Sequence, residues 1–398
     1  MSARVLVLGS SFAGLTAALS VKSHLGRAAD VTVVSPSDRF VFNPSLIWLP
    51  FGRRGRTDVS FPVAPTLAKR GVPFVHGAAT AVDPGEHRVE TTQGTLDYDY
   101  LVIATGYRND LDVVPGMRET PTITTLPDAE RTSDAWRRFL DDPGDVVIGA
   151  TQRASCFGAA YEFLFNTSYQ LRRAGLHGEV GLTYVTSEPY AGHFGIDGMP
   201  GARTLMRMFA KKEGITVETN QSMKAIRPDA VELADGREIP YTFAMIVPPF
   251  RGQDFLARTP GLVDAGNYVP VRPTYQSERW DDVYAVGIAA AVPVPWTTQV
   301  ATGIPKTGFP SEQQAHIAAK NIVSQVRGEE PTAAKEFAKI PALCVMDAGN
   351  NGVAMVADHM LPPRKAAVMV PGPQNHAFKV GFEKYSLAKM KAGRVGLP

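Results

Sequence analysis

Apolar residues enter this chain as short unbroken runs that alternate with stretches of helical period. Arg4–Leu8 reads as a buried strand, because Val5, Leu6, Val7 and Leu8 leave no polar face. A turn of mostly small residues follows, Gly9-Ser10-Ser11-Phe12-Ala13-Gly14. Leu15–Leu25 then repeats its apolar positions as a helix does, and Val31–Val34 is a second buried run. Strand, tight turn, helix and strand in that order predict a βαβ unit on a parallel sheet. The pattern restarts downstream. Asp145–Gly149 is strand-like, about Phe157–Ala174 carries Phe157, Ala160, Tyr161 and Leu164 on one helical face, and Gly181–Val185 closes the second unit. Tyr98–Gly106 and Trp280–Ile288 are further strands, each running into a turn at a glycine. Clusters of proline and glycine at Val113–Gly116, Pro260–Gly266 and Gly328–Pro331 mark seams.

The turns say what the units hold. In the first, G-x-S-x-x-G, Gly9 permits the tight turn and Gly14 permits close packing of helix on sheet, so the free N–H groups of the helix can receive a pyrophosphate. Ser11 stands where a middle glycine is usual, and Ser35 stands where the ribose-binding acid is expected. Thr105 and Gly106 end one further strand, and Gly287 and Ile288 end the other. In flavoproteins with two dinucleotide domains, segments of these three kinds close around FAD. The turn of the second unit differs. Gly149-Ala150-Thr151-Gln152-Arg153-Ala154-Ser155-Cys156 is long, lacks closely spaced glycines and ends in a cysteine. It reads as a dinucleotide fold that has lost its NAD(P) site. The expected fold is therefore α/β, with two Rossmann-like domains and a C-terminal region. The FAD domain is split over residues 1–112 and 265–330, the second Rossmann-like domain covers 113–264, and the C-terminal region covers 331–398.

Composition narrows the partners. Lys+Arg number 41 and Asp+Glu 39 in 398 residues, so no global field points to nucleic acid. No charged leader precedes a long apolar segment and no apolar run reaches membrane-spanning length, so a cytoplasmic protein is expected. Two cysteines cannot build a four-thiolate metal site, and no metal is expected. In a reducing compartment a bridge between them would be catalytic rather than structural. Cys156 falls at a helix N-terminus, where the helix dipole, with Arg153 nearby, can stabilise a thiolate. Cys344 lies in the apolar strand-like run Ile340–Met346.

Five segments carry a more specific resemblance. They are Ala154–Glu162, Ser187–His193, Pro305–Gly308, Leu343–Gly349 and Lys379–Tyr385. Together they resemble the sulfide:quinone oxidoreductases, and the match runs from Val5 to about Gly393. The resemblance implies a peripheral membrane flavoprotein that oxidises sulfide to sulfur or polysulfide and passes two electrons through FAD to ubiquinone or menaquinone. It implies that Cys156 and Cys344 form the redox pair, joined by a disulfide or sulfur bridge, with Cys344 nearer the flavin. Glu162 and His193 become candidates for proton handling. Asn43, Ala79, Lys306, Thr307, Gly308 and Lys379 join the cofactor site, with Lys379 near the flavin pyrimidine ring. Phe382 and Val345 are expected at the quinone. Two positions depart from the family pattern, since Thr124 and Asp128 stand where many members have a third cysteine and a histidine.

The last helical stretch adds a membrane expectation. His376–Arg394 holds Lys379, Lys384, Lys389, Lys391 and Arg394 against a single acid, Glu383, while Phe378, Phe382 and Tyr385 recur on one face. Such a basic amphipathic helix can lie in a membrane interface. Homo-oligomerisation stays open. Two other readings remain: an NADH:quinone reductase on the same fold, against which the Gln152–Cys156 loop argues, and a non-catalytic flavin-binding sulfur carrier.

Overall fold

A computed structural model describes residues 2–396. Its strands, in chain order, include β1 (Ala3–Leu8), β2 (Ala29–Ser35), β3 (Phe74–His76), β4 (Tyr100–Ile103), β5 (Val146–Ala150), β6 (Leu182–Thr186), β7 (Ile215–Glu218), β8 (Phe243–Val247), β9 (Val283–Ala285), β10 (Ala342–Asp347), β11 (Gly352–Ala357) and β12 (Ala367–Pro371). The helices that matter for the site are α1 (Phe12–Leu25), α2 (Leu126–Asp141), α3 (Phe157–Arg173), α4 (Gly308–Val326) and α5 (Gln374–Lys391).

Three sheets organise the chain. The first is wholly parallel in the order β9-β4-β1-β2-β3. The second is also parallel, in the order β7-β6-β5-β8. The third, β10-β11-β12, is antiparallel. Each parallel sheet is covered on its faces by helices and loops, so β1, β5 and β8 are apolar in succession and buried. Helix α1 begins at Phe12, three residues before the apolar period suggests, because Ser11 in extended conformation already opens it. Alanines 13, 17 and 18 of α1 and 315, 318 and 319 of α4 share one buried cluster, and such small residues let the two helices pack closely over the first sheet.

A larger apolar cluster joins the three units. It contains Trp48 from a short helical turn after β2, Phe157, Ala160, Phe163 and Leu164 from α3, and Met346 and Met355 from the third sheet. Helix α3 is thus held between the second sheet and β10. That placement brings the two cysteine-bearing segments to one spot.

Candidate functional site

Cys156 is the N-cap residue of α3, and Cys344 lies on β10. Both are free thiols and half-buried. Each lies within electrostatic reach of Glu162 and Lys379, and the charge of Cys156 also acts on Cys344. The expected thiolate at Cys156 needs correction. Burial pushes its thiol up to about 11, more than the bond from the Ala159 N–H can offset. Burial likewise pushes Cys344 up to about 12, with the Glu162 carboxylate adding to it and Lys379 opposing. Arg153 lines a neighbouring cavity instead of stabilising a thiolate.

Glu162 and Lys379 form a buried ion pair between α3 and α5. The Asp347 N–H donates to the same Glu162 oxygen at 2.6 Å. Asn166, one turn further along α3, donates to the carbonyls of Glu162 (2.9 Å) and Asp347 (3.0 Å), which ties α3 to β10. Burial raises the Glu162 carboxyl to about 7 despite the Lys379 ammonium. A carboxyl poised there can hold or release a proton near neutral pH. Lys379, expected at a flavin ring, is therefore engaged with Glu162 beside the sulfurs, with its ammonium 5.6 Å from the Trp48 ring centroid.

Sequence reasoning assigned no role to three residues in this network. Trp48 Nε1 donates to Asp347 Oδ2 at 2.9 Å, and His376 Nδ1 lies 2.6 Å from Asp347 Oδ1. Burial alone would raise the Asp347 carboxyl, but the bonds from Trp48 and His376 and the Lys379 charge hold it below its usual range. The signal for Asp347 was available, as an acid ending an otherwise apolar strand three residues after Cys344. Tyr107 is the other omission. Its hydroxyl donates to the Thr124 carbonyl at 2.5 Å, its ring stacks on Phe250 at 3.9 Å, and it lies within electrostatic reach of Cys156.

The dinucleotide turn of the first unit packs backbone against backbone. Gly9 has φ +115°, and a Cβ there would sit 2.2 Å from the Ala104 carbonyl oxygen. A Cβ on Gly14 would lie 2.0 Å from Gly9 O. Ser11 makes no side-chain cap on α1, so the first N–H groups stay open. Thr307 likewise leaves the start of α4, at Gly308, uncapped by its side chain. Thr105 Oγ1 is buried without a partner among the described residues. Ser35 Oγ accepts from Ser37 N at 3.1 Å and pairs with Ser10 Oγ at 2.9 Å, while the Ser10 hydroxyl also reaches the Ser37 carbonyl at 3.0 Å. Together these residues fit a flavin dinucleotide. Gly106 takes a left-handed turn just beyond β4, and Gly287, also left-handed, is held by Gln314 at 2.6 Å. Asn43 reaches the Thr124 carbonyl at 3.4 Å, and Ala79 opens a strand, half-buried beside the first sheet's core.

Lys306 turns its ammonium to the carbonyls of Ala290 (2.8 Å) and Ile288 (3.3 Å) and lies 3.6 Å from the Tyr268 ring centroid. Burial lowers it to about 7. It lines a cavity of about 400 Å³ with Arg153, Ser155, Phe250, Tyr268 and Trp296, next to Cys156. His193 is set behind that wall, edge-on to Trp296 at 5.2 Å, rather than against the thiols. Burial lowers its pKa.

The second unit's turn is closed. Gln152 bonds both the N–H and the carbonyl of Met223 at 3.1 Å. Arg153, at φ +63°, donates its N–H to Ala301 O at 2.6 Å, and Gly303 N donates to Ala154 O at 2.7 Å. The acid just beyond β6, where a ribose would be bound, is Glu188. It is fully buried and accepts from Phe194 N (2.7 Å), Tyr161 (3.0 Å), Thr186 (3.0 Å) and Tyr184 (3.3 Å). The missing cysteine and histidine are also accounted for structurally. Asp128 accepts from Thr124, Thr125, Asn109 and Arg131 while Thr125 caps α2, so these positions form a helix start.

Comparison with known proteins agrees with this geometry. The pyridine nucleotide-disulphide oxidoreductase family matches residues 3–315. The chain is 34% identical to the sulfide-quinone reductase of Aquifex aeolicus, over 99% of this chain and 93% of that one. The crystal structure of the sulfide:quinone oxidoreductase from that organism superposes with a TM-score of 0.95, covering 100% of this chain and 93% of the other. The chain belongs to the sulfide-quinone reductase family. It is accordingly an FAD-dependent flavoprotein oxidoreductase. More remote is the type II NADH:quinone oxidoreductase of Staphylococcus saprophyticus, 24% identical over 92% of each chain. Among the described residues no helix is long and apolar enough to cross a membrane, and no cluster of ligands could hold a metal.

Proposed function

We propose that this protein oxidises sulfide at the Cys156–Cys344 pair and delivers the two electrons to a quinone. Its relatives are named for sulfide and quinone, and FAD supplies the two-electron relay between them. The chain's own residues do the sulfur chemistry. When the pair is oxidised, hydrosulfide attacks one sulfur, the Cys–Cys bond breaks and a new S–S bond forms. One cysteine then carries a persulfide and the other is a thiolate. Net, one hydrosulfide gives one sulfur atom at the zero level, one proton and two electrons, and quinone takes up the electrons with two protons.

Glu162 accepts the proton lost from sulfur, because its carboxyl is held near 7 and it lies beside both thiols. Lys379 keeps that carboxylate in place. The cavity beside Ser155 serves as the approach for the anion, with Arg153 on its wall. Phe382, half-buried and 5.9 Å from Phe42, and Val345 on β10 line the approach of the quinone.

The observation that carries this reading is the meeting of two cysteines from distant segments with one buried Glu–Lys pair. It is tested by adding sulfide anaerobically to the purified flavoprotein and following flavin absorbance in the native chain and in Cys156→Ser and Cys344→Ser. Bleaching in the native chain alone is expected. Equal bleaching in either variant would remove that cysteine from the reaction.

A further inference from the structure

Asp347 ends β10 with a carboxylate that is buried, and the sulfur chemistry above makes no use of it. Both of its oxygens are held. Oδ2 accepts from Trp48 Nε1 at 2.9 Å and from the Gly349 N–H at 3.1 Å, with Arg53 Nη1 3.9 Å away. Oδ1 meets His376 Nδ1 at 2.6 Å. The far nitrogen of that ring, Nε2, lies 3.1 Å from Arg53 Nη2. A guanidinium can only donate, so Nε2 accepts and the proton of the imidazole sits on Nδ1, pointed at Asp347. Each of these contacts brings a donor or a positive charge to the carboxylate. Such a cage keeps a buried acid ionised.

That anion stands beside Glu162. The Asp347 N–H donates to Glu162 Oε1 at 2.6 Å, so the two acids belong to residues already in contact. Lys379 follows His376 by three residues on α5, which sets both on one helical face. Its ammonium pairs with Glu162, and its charge also reaches Asp347. Cys156 and Cys344 face Glu162 from the ends of the sulfur site. Arg172, Lys212 and Glu213 line a cavity of about 80 Å³ that Asp347 also borders, and Arg172 is spent on Glu213. Arg54 lies over the Trp48 ring and pairs with Glu383.

We propose that Asp347 is a positioning residue for proton uptake at Glu162: its N–H fixes that carboxyl beside the thiols, and its permanent charge helps the carboxyl hold the proton that leaves sulfur. The S–H bond breaks, an O–H bond forms on Glu162, and Asp347 ends the step as the anion it was at the start. The two contributions oppose one another. A donated N–H favours the Glu162 carboxylate, whereas a neighbouring negative charge favours the acid. Burial is the main cause that raises Glu162, the Asp347 charge adds to it, and Lys379 works against both. This role rests on the reading of Glu162 as the proton acceptor and deepens it.

The test follows sulfide-dependent flavin bleaching against pH in the full flavin-loaded chain. Asp347→Asn keeps the shape and the N–H but removes the charge. The native rate should climb through about 7. In the variant the midpoint should fall by about half a pH unit, so the rate at about pH 6 relative to that at about pH 8 rises roughly two- to threefold. A purely structural role would slow the reaction at every pH and leave the midpoint in place, and that result overturns the proposal. Asp347→Ser keeps the same N–H with less bulk and should shift alike, which covers the case in which the amide misfits His376. Glu188→Gln alters another buried acid and should keep the native midpoint; a like shift there would also overturn the proposal. A second readout needs no sulfide. The carbonyl stretch of protonated Glu162, identified by its loss in Glu162→Gln, can be titrated by infrared spectroscopy in the resting protein. Its midpoint should fall in Asp347→Asn, and an unmoved band contradicts the proposal. Failure of the native chain to bleach with sulfide would strike the functional reading instead, and the infrared titration reads independently of it.

Discussion

The turn after β1 and the turn after β5 occupy the same place in their units, yet only the first keeps its backbone clear. At the first, Gly9 and Gly14 bring strand, helix and the β4 turn into backbone contact, and the start of α1 is left open. At the second, Gln152 and Arg153 are tied to the chain's own backbone, the segment around Ala301–Gly303 lies over the turn, and Glu188 is sealed among hydroxyls. A dinucleotide needs a turn that its pyrophosphate can approach and a polar partner for its ribose at the end of the next strand. The second unit has filled its turn and buried Glu188, and it carries Cys156 at the helix start. One topology therefore serves two chemistries, and the difference lies in turn sequence rather than in fold.

That contrast is breakable. The largest effect is expected from Cys344→Ser, which should slow sulfide-dependent flavin reduction by about 10³-fold or more while FAD stays bound, as stopped-flow absorbance would record. Retention of the native rate would separate the thiols from the remodelled turn. Next, Gly9→Ala should strip FAD, because the new Cβ meets the Ala104 carbonyl at 2.2 Å, whereas Gly158→Ala in the second unit meets nothing within 4 Å and should keep it. Flavin content after purification decides this pair. Equal retention would show that the two turns are not different in kind.

Glu162→Gln should lower the rate by about 10²-fold and flatten its pH dependence. The sign follows from the raised carboxyl. Below about 7 Glu162 is protonated and cannot accept a proton, so the native rate should climb as pH rises through that value. The glutamine variant should lack the climb. The smallest effect belongs to Glu188→Gln, which leaves hydroxyls around one oxygen mispaired. It should cost about 1–3 kcal/mol in denaturant unfolding and leave flavin reduction unchanged.

Much of the site was legible as sequence because its parts are local. The strand–turn–helix starts, the cysteine at a helix N-terminus and the loop lacking its glycines are all read from neighbours along the chain. The helix α5 was misread for the converse reason. Lys379 and Lys389 look like part of the same solvated face as the exposed Lys384 and Lys391, but their partners Glu162 and Glu312 lie far away in sequence, and only folding reveals that these two charges point inward. The thiolate expected at Cys156 failed similarly, since a helix dipole is local and burial is not. Trp48 and His376 went unseen because their link to Asp347 spans three separate segments.

Anaerobic reduction by the two competing donors bears most directly on the central claim. Equal additions of sulfide and of NADH to the flavin-loaded protein, followed by absorbance, separate the open turn from the closed one. Bleaching by sulfide with none by NADH is the predicted result. Bleaching by NADH and none by sulfide would mean that the second unit still binds its nucleotide and that the cysteine pair is not the electron entry.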